Sequence, residues 1–162
     1  MKLFSFLTAV LLVTLLSCDS DEPTSKNQNL ILLNGKTFKV DFASLIEIES
    51  GNEVFASIQL AGLNQDGSSK SLSLGLTYAA GQTLVGTYSF PQGNDRYLDD
   101  WLTVYTDAST NPILDYHLVE GTVTIESNGG DNYKVTVDFT MEEDKFFTGY
   151  YKGEFETANA QQ

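Results

Sequence analysis

His117 is the only histidine of the chain, and Asp115 stands two residues before it. In a strand, residues two apart share a face, so this spacing allows a carboxylate–imidazole pair of the kind a hydrolase uses as its base. A nucleophile has to come from elsewhere, and no Gly-x-Ser-x-Gly elbow is present. A lone histidine near a strand start is more often structural, so no catalytic residue is assigned and the chain is not expected to be an enzyme. Acid pairs for glycoside cleavage can be drawn among Asp99, Asp100, Glu142 and Glu143, but such pairs arise cheaply in a chain with 22 acidic residues. Glycosidase carboxylates must face one another across about 5 to 9 Å, which sequence spacing does not fix. Zinc needs clustered Cys or His ligands, and this chain has one of each. Calcium takes oxygens alone; Asn94, Asp95, Asp99 and Asp100, or Asp66 in its loop, supply some, without the EF-hand spacing. The expectation is no metal and no cofactor.

The aromatic residues are the better lead. Tyr97, Trp101 and Tyr105 recur every four residues around a loop rich in Asp and Asn. Aromatic faces beside such groups hold sugars or other amphipathic ligands, and these three are the candidate ligand-binding residues. The competing structural role is core packing, since large aromatics fill β-barrels. The partners this allows are a glycan, a small apolar ligand or a surface protein.

The elements that must position these residues are strands. Phe38, Val40 and Phe42 alternate with Thr37, Lys39 and Asp41, and Ile46 and Ile48 oppose Glu47 and Glu49. Val54, Ala56, Ile58 and Leu60 make a third inward row. Leu72, Leu74, Leu76 and Tyr78 give the cleanest period of two in the chain. Tyr88 and Phe90 follow, and then an expected strand over 101–106 with Trp101, Thr103 and Tyr105 on one side. Residues 116–126 read as one long strand, Tyr133, Val135, Val137 and Phe139 as the next, and Phe147, Gly149, Tyr151, Gly153 and Phe155 as a last one that glycines allow to curve. Asn34-Gly35, Asp66-Gly67 and 127–132 are turn signals. No window has helical periodicity. The fold class is therefore all-β: an antiparallel meander of about nine strands, with an up-and-down barrel of calycin type preferred and a β-sandwich as the alternative.

Composition bounds the partners. The formal charge is −13, from 22 acidic and 9 basic residues. Nucleic acid is excluded, because its phosphates require Lys and Arg, and so is charge-driven binding to an anionic membrane. The length fits one domain with a real core.

The N-terminus carries an address. Met1-Lys2 precedes an apolar run over 3–16, too short for a bilayer crossing, which needs about 20 residues. A charged start, a short apolar run and a small residue before a break make a signal peptide. The break falls at Leu15-Leu16-Ser17-Cys18, which resembles the bacterial lipobox. That resemblance implies a diacylglyceryl group on Cys18 and cleavage before it. Two or more acyl chains hold a protein stably at a membrane where one does not. Cys18 is the sole cysteine, so no disulfide can staple the domain. Asp19-Ser20-Asp21-Glu22 resembles the acidic export signal of surface lipoproteins of the Bacteroidetes, which implies an outer-membrane protein facing outward. The expected organisation is a signal peptide over 1–17, a lipidated Cys and acidic tether over 18–29, one β domain over 30–156 and a disordered tail over 157–162.

Further along, Asn34-Gly35-Lys36-Thr37-Phe38, Gly86-Thr87-Tyr88-Ser89-Phe90, Gly121-Thr122-Val123-Thr124-Ile125 and Gly149-Tyr150-Tyr151-Lys152-Gly153-Glu154-Phe155 occur in an order similar to small β-rich lipoproteins of Bacteroidetes. The resemblance covers nearly the whole domain, and its motifs are turn and strand signals with no catalytic residue to carry over. It implies a membrane-anchored surface protein whose β domain binds a ligand or partner without enzymatic activity. A lipocalin-like carrier of a small apolar ligand is the alternative.

Overall fold

The computed structural model describes residues 27–93 and 95–159. Thirteen strands follow one another with no helix among the described residues: β1 (Gln28–Asn29), β2 (Leu32–Leu33), β3 (Lys36–Thr37), β4 (Phe42–Ser50), β5 (Glu53–Leu63), β6 (Ser69–Ala79), β7 (Gly86–Phe90), β8 (Tyr97–Leu98), β9 (Val104–Asp107), β10 (Leu114–Ser127), β11 (Asn132–Met141), β12 (Lys145–Glu154) and β13 (Glu156–Asn159). Long antiparallel ladders join β4 to β5, β5 to β6, β10 to β11 and β11 to β12. Short strands fill the gap between β6 and β10. One edge of β6 takes β9 along Lys70–Ser73 and β8 at Leu76 and Thr77. β10 takes β9 along Leu114–His117 and β7 along Gly121–Ile125. Because β7 also pairs with β8, strands β6, β8, β7, β10 and β9 form a closed ring. This is a β-barrel with further strands on both flanks. The flanks meet as well: β13 continues β12 past the single residue Phe155 and pairs with β4.

One core fills the interior. Val54, Ala56, Ile58 and Leu60, then Leu72, Leu74, Leu76 and Tyr78, then Val135, Val137 and Phe139 all face it, as their alternation predicts. Phe38, Tyr105, Phe139 and Phe147 interlock with ring centres 5.3 to 6.1 Å apart, mostly edge to face. The barrel lumen is thereby packed with side chains. Every strand pairing and every buried core residue described lies between Gln28 and Asn159, so the described residues from Asn27 onward contain a complete core.

Several elements depart from the sequence expectation. The meander is interrupted by two parallel pairs, β7–β8 and β13–β4. The parity of β4 is inverted: Ala43 and Leu45 are buried and Glu47 is half-buried, while Phe42, Ile46 and Ile48 are exposed. Register explains it, since Ala43, Leu45 and Glu47 lie opposite the inward Leu60, Ile58 and Ala56. Glu47 is tolerated there because it accepts a short hydrogen bond from the Tyr78 hydroxyl. The strand expected over 101–106 begins only at Val104. Asp99 holds residues 101–103 in a turn, its Oδ1 accepting the N–H groups of Trp101 and Leu102, both at 2.9 Å, and its carbonyl accepting that of Thr103. Residues 157–159, expected in a frayed tail, pair with β4, and Gln28 and Asn29, expected in the tether, pair with β12. Both segments find an open strand edge, which local polarity does not reveal.

Candidate functional site

The two ends of the barrel differ. At the end where β6 finishes, Arg96 lies over the rings of Tyr78 and Tyr88, 5.4 and 5.5 Å from their centres. Its Nη1 donates to the Thr83 carbonyl and to the Tyr88 hydroxyl at 2.8 and 2.9 Å. Burial raises the Tyr88 hydroxyl to about 12 against the opposing pull of Arg96. Burial, and then the Glu47 carboxylate, raises Tyr78 as well. Guanidinium, phenols and carboxylate together plug this end beneath an open cleft of about 450 Å³ lined by Glu47, Tyr78, Thr83 and Leu84.

The other end is open. Four turns converge there: the β2–β3 hairpin and the β5–β6, β9–β10 and β11–β12 connections. They frame a pocket of about 510 Å³, inside the range of small-molecule sites. The Asn34-Gly35 hairpin turn carries positive φ at both residues, 50° and 75°, which the Asn-Gly dipeptide favours. The Asn34 side chain fixes the hairpin by accepting the Phe146 N–H at 2.7 Å, while the Asn34 N–H donates to the Phe146 carbonyl at 2.9 Å. Residues 38–41 then cross β5 at Gly62. A Cβ on Gly62 would lie 2.2 Å from the Lys39 carbonyl oxygen, so only glycine lets the strap lie this low.

The floor of the pocket is aromatic and aliphatic, from Phe38, Tyr105, Tyr116, Leu33 and Leu114. Tyr105 and Tyr116 stack at 5.6 Å and 16°. The rim is basic: Lys36, Lys39, Lys70 and Lys145 all line it. These are four of the 9 basic residues of a chain whose formal charge is −13. Lys70 pairs with Asp107 at 2.8 Å, Lys39 with Asp41 at 2.8 Å, and Lys145 with Glu143 at 3.7 Å. Lys145 also lies 4.6 Å from the ring centre of Tyr116. Lys36 has no ion-pair partner among the described residues.

Asp107 is the one acid among the lining residues. Burial pushes its carboxyl up. Hydrogen bonds from Lys70 and Ser109, with the Lys70 charge, outweigh that and hold it at about 2. It also accepts the Tyr105 hydroxyl at 3.2 Å. The Tyr105 hydroxyl is pushed well above the ordinary phenol value, chiefly by burial and then by the Asp107 charge.

The three aromatics singled out by sequence are distributed differently from one another. Tyr105 is fully buried and forms part of the pocket floor. Tyr97 is half-buried and pairs with Thr77, near the plugged end. Tyr105 pairs with Leu72, five residues back along β6, roughly 17 Å away. Trp101 is 76% exposed on the outer surface, its ring 5.5 Å from that of His117. The structure does not bring the three together.

His117 and Asp115 do not pair. Asp115 accepts the Thr106 hydroxyl at 2.6 Å, and the backbone N–H of His117 donates to the Glu142 carboxylate at 3.1 Å. Asp66 and Asp99 are engaged by their own loops, Asp66 accepting both the N–H and the hydroxyl of Ser68. Among the described residues no group of three or more His, Cys, Asp or Glu is placed to hold a metal, and no helix is long and apolar enough to cross a membrane. Cys18, the acidic residues 19–22 and Asn94 lie outside the described residues.

Sequence reasoning missed the four lysines. They are scattered from 36 to 145 and form a group only through strand pairing. The one available signal was their scarcity. Comparison with family models, with curated proteins and with solved structures finds no match to this chain.

Proposed function

We propose that this protein is a non-enzymatic, lipid-anchored binding domain, held to the outer membrane through Cys18 and displayed at the cell surface, that takes a small ligand at the open end of its barrel. The anchor rests on the likeness of Leu15-Leu16-Ser17-Cys18 to a lipobox and of residues 19–22 to an acidic export signal, and the affiliation with β-rich Bacteroidetes lipoproteins rests on likeness of the same kind. The observation that carries the binding function is the mouth pocket, about 510 Å³, with an aromatic floor and a polar rim. The packed lumen beneath it favours a ligand seated at the mouth over one swallowed into the barrel, as a lipocalin-like carrier would do.

Native mass spectrometry of the chain purified from its own cells tests the binding function. A retained small molecule, lost when Tyr116→Ser and Lys36→Gln are combined, is expected. A chain that is empty from the cell and binds nothing from a cell extract contradicts it. The anchor is tested separately by Cys18→Ser, which should move the protein from the membrane to the soluble fraction; retention at the membrane refutes it. A second reading has one observation behind it. Trp101, the sole tryptophan, stands exposed beside His117 and Asp99, which suits a glycan or protein partner on the outer face.

A further inference from the structure

Resting on that binding function, we infer that the mouth pocket selects an amphipathic organic anion: an aromatic or apolar body carrying one carboxylate, sulfonate or comparable group. Three observations converge. First, four ammonium groups surround one opening in a chain that is otherwise strongly acidic. Like charges around one opening repel one another, and three of the four have a carboxylate partner: Asp107, Asp41 and Glu143. Second, the four lysines differ in what holds them. Lys70 and Lys39 are tied down, Lys39 by Asp41 and by the Leu63 carbonyl at 2.9 Å. Lys36 is exposed and has no ion-pair partner among the described residues, and Lys145 pairs with the exposed Glu143 at 3.7 Å. Lys36 thus has no partner to give up, and Lys145 holds the longest of the three ion pairs at the mouth. Third, the floor below them is apolar, with Leu33, Phe38, Leu114 and the stacked Tyr105–Tyr116 pair. A fully hydrated inorganic anion would leave that floor wet. A neutral apolar molecule would leave Lys36 without a counter-charge and would draw nothing from the rim. A molecule with an apolar body and one anionic end satisfies both layers, with the body on the rings and the charge between Lys36 and Lys145.

The test uses two dyes of nearly equal shape and opposite polarity. Anilinonaphthalene sulfonate carries an anionic group; phenylnaphthylamine is its uncharged counterpart. Both are titrated by fluorescence into the chain from Asn27 onward, into Lys36→Gln and into Lys145→Gln, with thermal melts to show that each variant stays folded. Lys36 is exposed, so its melt should be unchanged; Lys145 is half-buried over the Tyr116 ring, so its melt should fall slightly while the variant stays folded. Anilinonaphthalene sulfonate is expected to bind at least tenfold more tightly than phenylnaphthylamine. Each substitution should weaken the sulfonate about threefold to tenfold and leave the neutral dye within twofold. If the two dyes bind alike and neither responds to the lysines, the anion preference is wrong while the mouth pocket stands. If the sulfonate is favoured but indifferent to both substitutions, the anion seat lies elsewhere and the inference is overturned. If neither dye binds, the binding function itself falls with it.

Discussion

Asp107→Asn separates the stability of the mouth from its affinity. The carboxylate accepts Lys70, Tyr105 and two hydrogen bonds from Ser109. Its pKa lies at about 2 against an ordinary 3.8, a difference worth about 2 kcal/mol at most. Asp107 is only 15% exposed but its partner Lys70 is 37% exposed, so solvent screening trims the figure to about 1–2 kcal/mol. Asn keeps the shape and an acceptor for Ser109 but loses the charge. At pH 7 the melting temperature should fall by about 4–7 °C for a domain of this size. The sign with pH is fixed. A folded-state pKa depressed below the unfolded value contributes stability that is whole above about pH 4 and is lost as pH falls through about 2. The gap between wild type and variant should therefore close between pH 4 and pH 2, followed by circular dichroism melts. Affinity should move the other way. Removing one negative charge from the rim and freeing Lys70 should tighten anilinonaphthalene sulfonate roughly fivefold, about 1 kcal/mol after screening. Equal melts at neutral pH, or a gap that persists undiminished at pH 2, would refute the role given to this carboxylate. Weaker dye binding in the variant would show that Asp107 positions the site instead of opposing the ligand's charge.

Gly149→Ala should cost about 2–4 kcal/mol, because φ there is +102° and a Cβ would lie 2.1 Å from the Leu30 carbonyl oxygen; chemical denaturation checks it, and a loss under about 1 kcal/mol would contradict the close crossing of the N-terminal strap. Tyr78, Tyr88, Tyr105, Tyr133 and Tyr151 all have hydroxyls raised by burial. Their stabilising contribution is whole below about pH 10 and is lost as pH rises. Tyrosinate absorbance from these five should thus appear together with cooperative alkaline unfolding, and gradual ionisation within the folded state would argue against the packed lumen. Trp101→Ala should change stability by no more than about 0.5 kcal/mol, since the ring is largely in solvent; a larger drop in the melting curve would place the indole in the core.

Much of the fold was legible because one-faced strands announce themselves. The row Leu72, Leu74, Leu76 and Tyr78 is buried as read, and so are Val135 and Val137. The inversion of β4 was not legible. Its apolar residues Ile46 and Ile48 suggest one face, and only pairing with β5 and the Tyr78 hydroxyl turns Glu47 inward. The turn at Trp101 escaped for a similar reason. Thr103 and Tyr105 extend the pattern of a strand backward, and the Asp99 side chain competes successfully for the backbone N–H groups that a ladder would use. Of the three aromatic candidates, Tyr105 alone lines the pocket. Its neighbours there come from strands and turns over a hundred residues apart, so no sequence window contains the site.

A map of backbone amide shifts across the folded chain from Asn27 onward, recorded while anilinonaphthalene sulfonate is added, tests the central claim most directly. The mouth pocket predicts changes at Thr37, Phe38, Lys70, Tyr105, Leu114 and Tyr116, with residues 76–78 at the plugged end unmoved. Changes centred on Trp101 and His117, or spread over the exposed Ile46, Ile48 and Phe55 of the outer face, would contradict it.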